Sequence, residues 1–383
     1  MISYGRQSIN KKDINEVVKV LKSNFLTQGP MIEKFEAKLK KYFKCKNAIA
    51  VSSGTAALNL ISKALKWKNK DYIVVSPITF LSSVNCILQN NSKPHFIDIN
   101  MRDFSIDISK LEIALNKYKK KIKAVIITDY AGHPADWKRL NVLKKKHKFT
   151  LINDNCHSMG SSFNNNYGYA AKYADYVSLS FHPVKNFTTG EGGAVLTNDS
   201  NKAKLIKSLR SHGVVRSSIS SKKYGQWYYE MNNIGDNYRM SDIHAALGFS
   251  QITRLNKFVK KRKKIAKFYD KLFSDKSKFI IPSIKKNCTH SYHLYPLLIN
   301  FKKIKKSKKR IFNEFLKKNI KLQVHYIPVN SQPYYKKLIK LDRKKFLNSF
   351  DFYKREISMP IYYDLSNNDL NHIKMTCKKV FNI

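Results

Sequence analysis

The chain has 383 residues, more than one hydrophobic core usually supports, so two domains are expected. With 43% hydrophobic residues, 22 Tyr and 22 Phe it can fill a packed interior, which excludes an intrinsically disordered protein. Its 73 Lys and Arg against 26 Asp and Glu give a formal charge of +47, but the excess is mostly lysine and runs the whole length. Arginine, the better residue for phosphate and base edges, is not enriched, which argues against nucleic acid as partner. A positive field that draws in an anionic small substrate is the expected consequence.

The five cysteines (Cys45, Cys86, Cys156, Cys288, Cys377) are dispersed without C-x-x-C spacing. They imply reduced thiols rather than a metal site or a disulfide framework. The first ten residues lack the apolar stretch of a secretory leader, and no apolar run reaches membrane-spanning length. A soluble cytoplasmic protein without a membrane partner is expected.

In chain order, Asn10 to Lys22 predicts a first helix, capped by Asn10, with Asp13 in its first turn and Ile14, Val17, Val18 and Leu21 on one apolar face. A turn-rich linker, Phe25 to Pro30, leads to a helix carrying Ile32, Phe35, Leu39 and Phe43. Seven short apolar runs then predict strands: Ala48–Val51, Tyr72–Val75, Pro94–Asp98, Ala124–Ile127, Phe149–Ile152, Tyr176–Phe181 and Ala194–Thr197. Helical patterns such as Ser82 to Gln89 and Trp137 to Lys146 separate several of them. Such alternation implies an α/β domain whose mostly parallel sheet is covered on both faces, with ligands at the carboxyl ends of its strands. After a helical run from Ser241 to Leu255, a smaller α+β unit is expected, with strands at His293–Leu298 and Leu322–Tyr326. A helix from Lys309 to Lys318 should lie between those strands, and a last helix should follow Asn367. The expected division is 1–250 for the large domain and 251–383 for the small one.

The strand-end loops carry the chemistry. Lys185 sits between two buried runs in a loop that begins with Pro183 and ends at Gly192 and Gly193. It is either a surface lysine or an amine placed to form a Schiff base. Ser53-Gly54-Thr55 marks a strand meeting a helix, as an ordinary N-cap or as a phosphate cradle. Asp154, just past a buried run, is either an Asx turn or the partner of a protonated ring nitrogen, with His157 three positions on. Phe80 could stack on a flat ring or belong to the core. Together these loops offer an amine, a carboxylate, a phosphate cradle and a stacking ring, the set that pyridoxal 5'-phosphate needs.

The same residues, in order, resemble the DegT-type nucleotide-sugar aminotransferases. The matching stretches are Leu26-Thr-Gln-Gly-Pro30, Ser53-Gly-Thr-Ala-Ala-Leu58, Pro77-x-Thr-Phe80, Asp154 and Ser180-Phe-His-Pro-Val-Lys185. They continue with Glu191-Gly-Gly193, Asn237-Tyr-Arg-Met-Ser-Asp242 and Gln323-Val-His-Tyr-Ile-Pro328, so the resemblance runs nearly end to end. It implies an aspartate-aminotransferase-like fold (fold type I), a large domain with a mostly parallel seven-stranded sheet plus a smaller C-terminal α+β domain. It also implies pyridoxal phosphate as cofactor, a nucleotide sugar and glutamate as substrates, and a homodimer.

By resemblance Lys185 is the Schiff-base lysine and proton shuttle, Asp154 pairs with the pyridinium nitrogen, and His157 reaches the ring hydroxyl. Gly54, Thr55 and Ser180 hold the phosphate, Phe80 covers the ring, and Asn237 reaches the neighbouring subunit's cofactor. Tyr4, Leu26, Thr27, Gln28, His325 and Tyr326 line the sugar pocket. Three departures from the family pattern stand out: Asp236 before the Asn, Asn155-Cys156 after the aspartate, and Trp137 in place of an aliphatic residue. Related dehydratases of the same scaffold carry His where this chain has Lys185, which argues for amination over loss of water.

Overall fold

A computed structural model describes residues 1–339 and 342–383. The seven apolar runs form one sheet: β1 (Asn47–Val51), β2 (Tyr72–Val75), β3 (Lys93–Phe96), β4 (Ile122–Thr128), β5 (Thr150–Asp154), β6 (Tyr176–Ser180) and β7 (Gly193–Thr197). Their order across the sheet is β1-β7-β6-β5-β4-β2-β3. Strand β7 pairs antiparallel with both of its neighbours, and the remaining contacts are parallel. Alternate residues of a strand point to opposite faces, and both faces are apolar here. Val125 and Ile127 of β4 join Phe35, Leu39, Trp137 and Leu140 on one side, while Ala124 and Ile126 join Leu58, Ile61 and Ile87 on the other. The strand ends fall within two residues of the expected positions. At Pro94–Asp98, for example, pairing with β2 stops at Phe96.

The first helix, α1 (Lys11–Leu21), has the expected start: Asn10 and Asp13 form a reciprocal capping box. Its apolar face is not buried within the chain. Ile14, Val18 and Leu21 are exposed, and the helix is anchored instead by Asp13, which accepts from Ser250, Gln251 and Arg254. The helix α2 (Pro30–Phe43) does bury Ile32, Phe35, Leu39 and Phe43. Next come α3 (Gly54–Leu65), which follows β1, and α4 (Ser82–Gln89), which follows β2.

Beyond the sheet come α5 (Asp242–Gln251), capped by Ser241, and α6 (Leu255–Leu272). Leu255, Phe258 and Val259 of α6 pack into the core beside the large sheet. Ile265, Ala266 and Tyr269, two turns on, pack into the C-terminal core. That second core covers a three-stranded antiparallel sheet of β8 (Phe279–Ile280), β9 (Tyr295–Ile299) and β10 (Glu356–Met359), with β9 in the middle. The helices Lys308–Leu316 and Asn367–Phe381 close over it.

The expected strand at Leu322–Tyr326 does not form. Gln323 bridges Ser358, and beyond that single bridge side chains satisfy the backbone of His325. The strands beside β9 are β8 and β10, neither of which the sequence reading anticipated. No described helix is long and apolar enough to cross a membrane, and the five cysteines are unbridged.

Candidate active site

The carboxyl ends of the parallel strands open on a cavity of about 510 Å³. Lys185 enters it from the loop after β6. That loop is tied at its base: the Phe181 amide donates to the Gly192 carbonyl (2.8 Å), while the Thr188 hydroxyl and Thr189 amide donate to the Phe181 carbonyl. Gly190 turns the chain at φ +83°, a conformation that strains any residue with a Cβ. Lys185 is half-buried, its Nζ 3.5 Å from His293 Nε2. Burial lowers its pKa, while the Cys156 thiol and the Asp154 carboxylate oppose that shift.

Asp154 closes β5 and is buried. The Asx-turn reading holds: the Cys156 amide donates to one oxygen (3.2 Å), and the Ser83 hydroxyl donates to the other (2.6 Å). Thr79 and Thr128 extend that hydroxyl chain, the two oxygens lying 2.8 Å apart. The carboxylate is thus aimed into the cavity by groups from two other strand ends. Four further side chains of this wall touch one another. His157 Nε2 lies 2.9 Å from the Tyr326 hydroxyl, its ring is 4.5 Å from that of His293, and Phe80 packs at 6.0 Å from Tyr326. Burial drives both histidine pKa values well below the usual range, and the Lys185 charge adds to this. Both rings are therefore neutral at physiological pH.

At the next corner, Ser53 caps α3 by accepting from the Ala56 amide (3.0 Å). The N-cap reading is realised, and it leaves the first amides of the helix, at Gly54 and Thr55, for a ligand at the positive end of the helix dipole. A Cβ on Gly54 would meet the Ser180 Cβ at 2.7 Å, so glycine is what lets the two strand ends meet.

The cavity holds more hydrogen-bonding capacity than the chain itself uses. Among the described residues, His157 Nδ1 and His293 Nδ1 are buried without a partner, and no group accepts from the Gly54 and Thr55 amides beside the Ser180 hydroxyl. An amine, a buried carboxylate and an anion-ready helix start fit the aldehyde, ring nitrogen and phosphate of pyridoxal phosphate.

Of the residues singled out from the sequence, Tyr4, Gly54, Thr55, Phe80, Asp154, His157, Ser180, Lys185, His325 and Tyr326 all line this cavity. Leu26, Thr27, Gln28 and Asn237 do not; they are exposed. Leu26 and Thr27 lie at the start of α5, where the Asp242 amide donates to the Leu26 carbonyl and Thr27 bridges Ser241. Sequence reasoning missed Ser83, Thr79 and Thr128, whose role depends on strand order. It also missed His293 as a site residue, placing it only at the start of the expected strand His293–Leu298.

Two of the three departures meet in one place. Trp137 Nε1 and Asn155 Nδ2 both donate to the buried Asp129 carboxylate, along with Asn153 and Tyr169. Asp129 does not line the cavity. Asp236 pairs with Lys63 of α3.

A lysine, a carboxylate and a helix start gathered at the strand ends of a mostly parallel seven-stranded sheet define a pyridoxal-phosphate-dependent aminotransferase. Over residues 7–378 the chain belongs to the DegT/DnrJ/EryC1/StrS aminotransferase family. It is 37% identical to the UDP-4-amino-4,6-dideoxy-N-acetyl-beta-L-altrosamine transaminase of Campylobacter jejuni over 98% of this chain and 96% of that one. Helicobacter pylori PseC, described as an aminotransferase of pseudaminic acid biosynthesis, superposes with a TM-score of 0.90 at 32% identity, covering 100% of this chain and 99% of that one. The sugar aminotransferase Spr1654 of Streptococcus pneumoniae, solved in PLP and PMP forms, superposes at 28% identity with TM-scores of 0.89 and 0.90. In both forms the match covers 99% of this chain and 98% of that one.

Proposed function

We propose that the chain moves the amino group of glutamate onto C4 of a UDP-linked 2-acetamido-2,6-dideoxy-4-keto sugar, making UDP-4-amino-4,6-dideoxy-N-acetyl-β-L-altrosamine. The observation that carries this is the single cavity that collects Lys185, Asp154 and the start of α3, in a chain 37% identical to a transaminase of that name.

Pyridoxal phosphate, when bound, supplies a ring that takes up the electron pair left behind when a proton leaves the carbon bearing the transferred nitrogen. Asp154, as a carboxylate, holds a proton on the ring nitrogen. Gly54, Thr55 and Ser180 hold the phosphate, Phe80 covers the ring and His157 reaches its hydroxyl. Lys185 Nζ takes the proton from the glutamate α-carbon and returns one to C4 of the sugar. Burial favours its neutral, basic form, which is the form that task needs. Tyr4, His325 and Tyr326 face the sugar.

The reading includes a homodimer in which Leu26, Thr27, Gln28 and Asn237 complete the partner's site. The apolar side chains left exposed near them support this, among them Leu21, Phe25 and Ile234. A cytoplasmic location is part of the same reading, supported by the five unbridged thiols.

The test is a panel of UDP-, GDP- and dTDP-linked 4-keto sugars offered with glutamate, the product being identified by mass and stereochemistry. Amination of the UDP-linked acetamido sugar in preference to the rest is expected. Preference for another 4-keto sugar would replace the substrate while keeping the reaction, and no amination of any would sink the reading.

A further inference from the structure

His325 stands in the cavity on a segment that belongs to no sheet, yet it is held at three points. Its amide donates to Glu356 Oε2 (3.0 Å), its carbonyl accepts from the Tyr130 hydroxyl, and its Nδ1 lies 2.8 Å from Ser358 Oγ. Ser358 Oγ itself donates to the other Glu356 oxygen. A serine hydroxyl has one proton. With that proton directed at the carboxylate, Ser358 has only a lone pair to offer the ring, so Nδ1 must carry the ring proton. The ring is buried and neutral, its pKa lowered to about 3 by desolvation and by the Lys185 charge. The second nitrogen, Nε2, then bears a lone pair and has no partner among the described residues. Neither Glu356 nor Ser358 lines the cavity.

We infer that Glu356 and Ser358 fix His325 as its Nδ1–H tautomer, so that Nε2 presents a hydrogen-bond acceptor to a donor group of the substrate. Given the proposed function, on which the identity of that ligand rests, the donor is a sugar hydroxyl or an acetamido N–H. Glu356 and Ser358 are positioning residues acting through His325. A wrong tautomer would set N–H against the substrate's own O–H or N–H and leave both unpaired, which is how a polar pocket rejects a near-isostere.

Glu356→Gln inverts the device. The glutamine carbonyl can keep the His325 amide while its NH₂ donates to Ser358. The Ser358 proton then turns to Nδ1, and the ring proton moves to Nε2. The measurement is a long-range ¹H–¹⁵N correlation on histidine-labelled protein, with the His325 signals assigned by their loss in His325→Gln. It is made at about pH 8.5, because burial raises the Glu356 carboxyl to about 7 and the tautomer argument needs it ionised.

Wild type is expected to carry the proton on Nδ1 and Glu356→Gln on Nε2. A wild-type proton on Nε2, or the same tautomer in both proteins, overturns the inference. If Glu356→Gln does not fold, Ser358→Ala takes its place: a mixture of tautomers is expected, and an unchanged pure Nδ1–H form counts against the inference. In the holoenzyme, Glu356→Gln should raise KM for the UDP-linked 4-keto sugar about tenfold while leaving the glutamate half-reaction unchanged. An equal loss in both halves would mark a merely structural role. The tautomer is read without any sugar, so a failed substrate assignment and a failed tautomer assignment give different results.

Discussion

The inner wall of the cavity and the surface outside it that carries Leu26, Thr27, Gln28 and Asn237 are built in opposite ways. On the inner wall, Asp154 is fixed by Ser83 and Cys156, His157 by Tyr326, and Lys185 by a loop tied at its base. Outside the cavity, Leu26, Thr27, Gln28 and Asn237 are exposed, and so are several apolar side chains: Ile14, Val18 and Leu21 of α1, Phe25, Trp227 (78% exposed) and Ile234 (82%). On the proposed reading, those apolar side chains belong to the surface that a second copy covers. One copy of the chain builds the reacting centre; on the proposed reading a second copy completes the surround in which a sugar is recognised.

The difference can be broken or sharpened by substitution. Lys185→Ala removes the amine on which the inner wall converges, and transamination should fall about 10⁴-fold or more, with loss of the visible absorbance band of the bound cofactor. Retained turnover would show that the wall had been misread. Asp154→Asn keeps the shape and the Ser83 contact but removes the charge. A fall in kcat of about 10²- to 10³-fold is expected, with little change in the amount of cofactor retained. An effect on cofactor retention alone would make Asp154 a holder rather than an electrostatic partner.

The outer surface calls for a different experiment. Lys185→Ala and Asn237→Asp, each inactive or nearly so alone, should regain about a quarter of wild-type activity when unfolded together and refolded. Half of the randomly formed dimers are then mixed, and each mixed dimer has one intact site. No recovery would mean that every site residue comes from one chain.

The smallest effect concerns stability. Folded His325 titrates near 3, below its unfolded value of about 6.5, so the unfolded chain binds the extra proton first. Stability held above about pH 6.5 should therefore be lost on acidification by about 1.4 kcal/mol per pH unit from this ring. Denaturant midpoints of wild type and His325→Gln, compared between pH 6.5 and 4.5, should converge at that rate; parallel curves would place the ring in water.

What was legible in the sequence follows the same division. Strand ends and the loops after them are local, and β-branched runs broken by glycine or proline marked β1 to β7 and the positions of Asp154 and Lys185 without knowledge of the strand order. Ser83 could not be recognised as the partner of Asp154, because they meet only once α4 and β5 are placed. The segment Leu322–Tyr326 has the residues of a strand, but Glu356, Tyr130 and Ser358 supply its hydrogen bonds from distant parts of the chain, so the local pattern misled. Helix α1 was legible only in part. Its periodicity correctly indicated a helix with an apolar face, but periodicity does not say whether that face meets its own chain or another. Trp137 and Asn155 looked like unrelated departures until both were found on Asp129.

The most direct test of the central claim follows nitrogen. Holoenzyme is incubated with ¹⁵N-labelled glutamate and UDP-2-acetamido-2,6-dideoxy-β-L-arabino-hex-4-ulose, and the sugar is recovered for mass analysis. The expected result is a product carrying ¹⁵N at C4 with wild type and none with Lys185→Ala. An unlabelled product that has lost water, or labelling that survives Lys185→Ala, would contradict it.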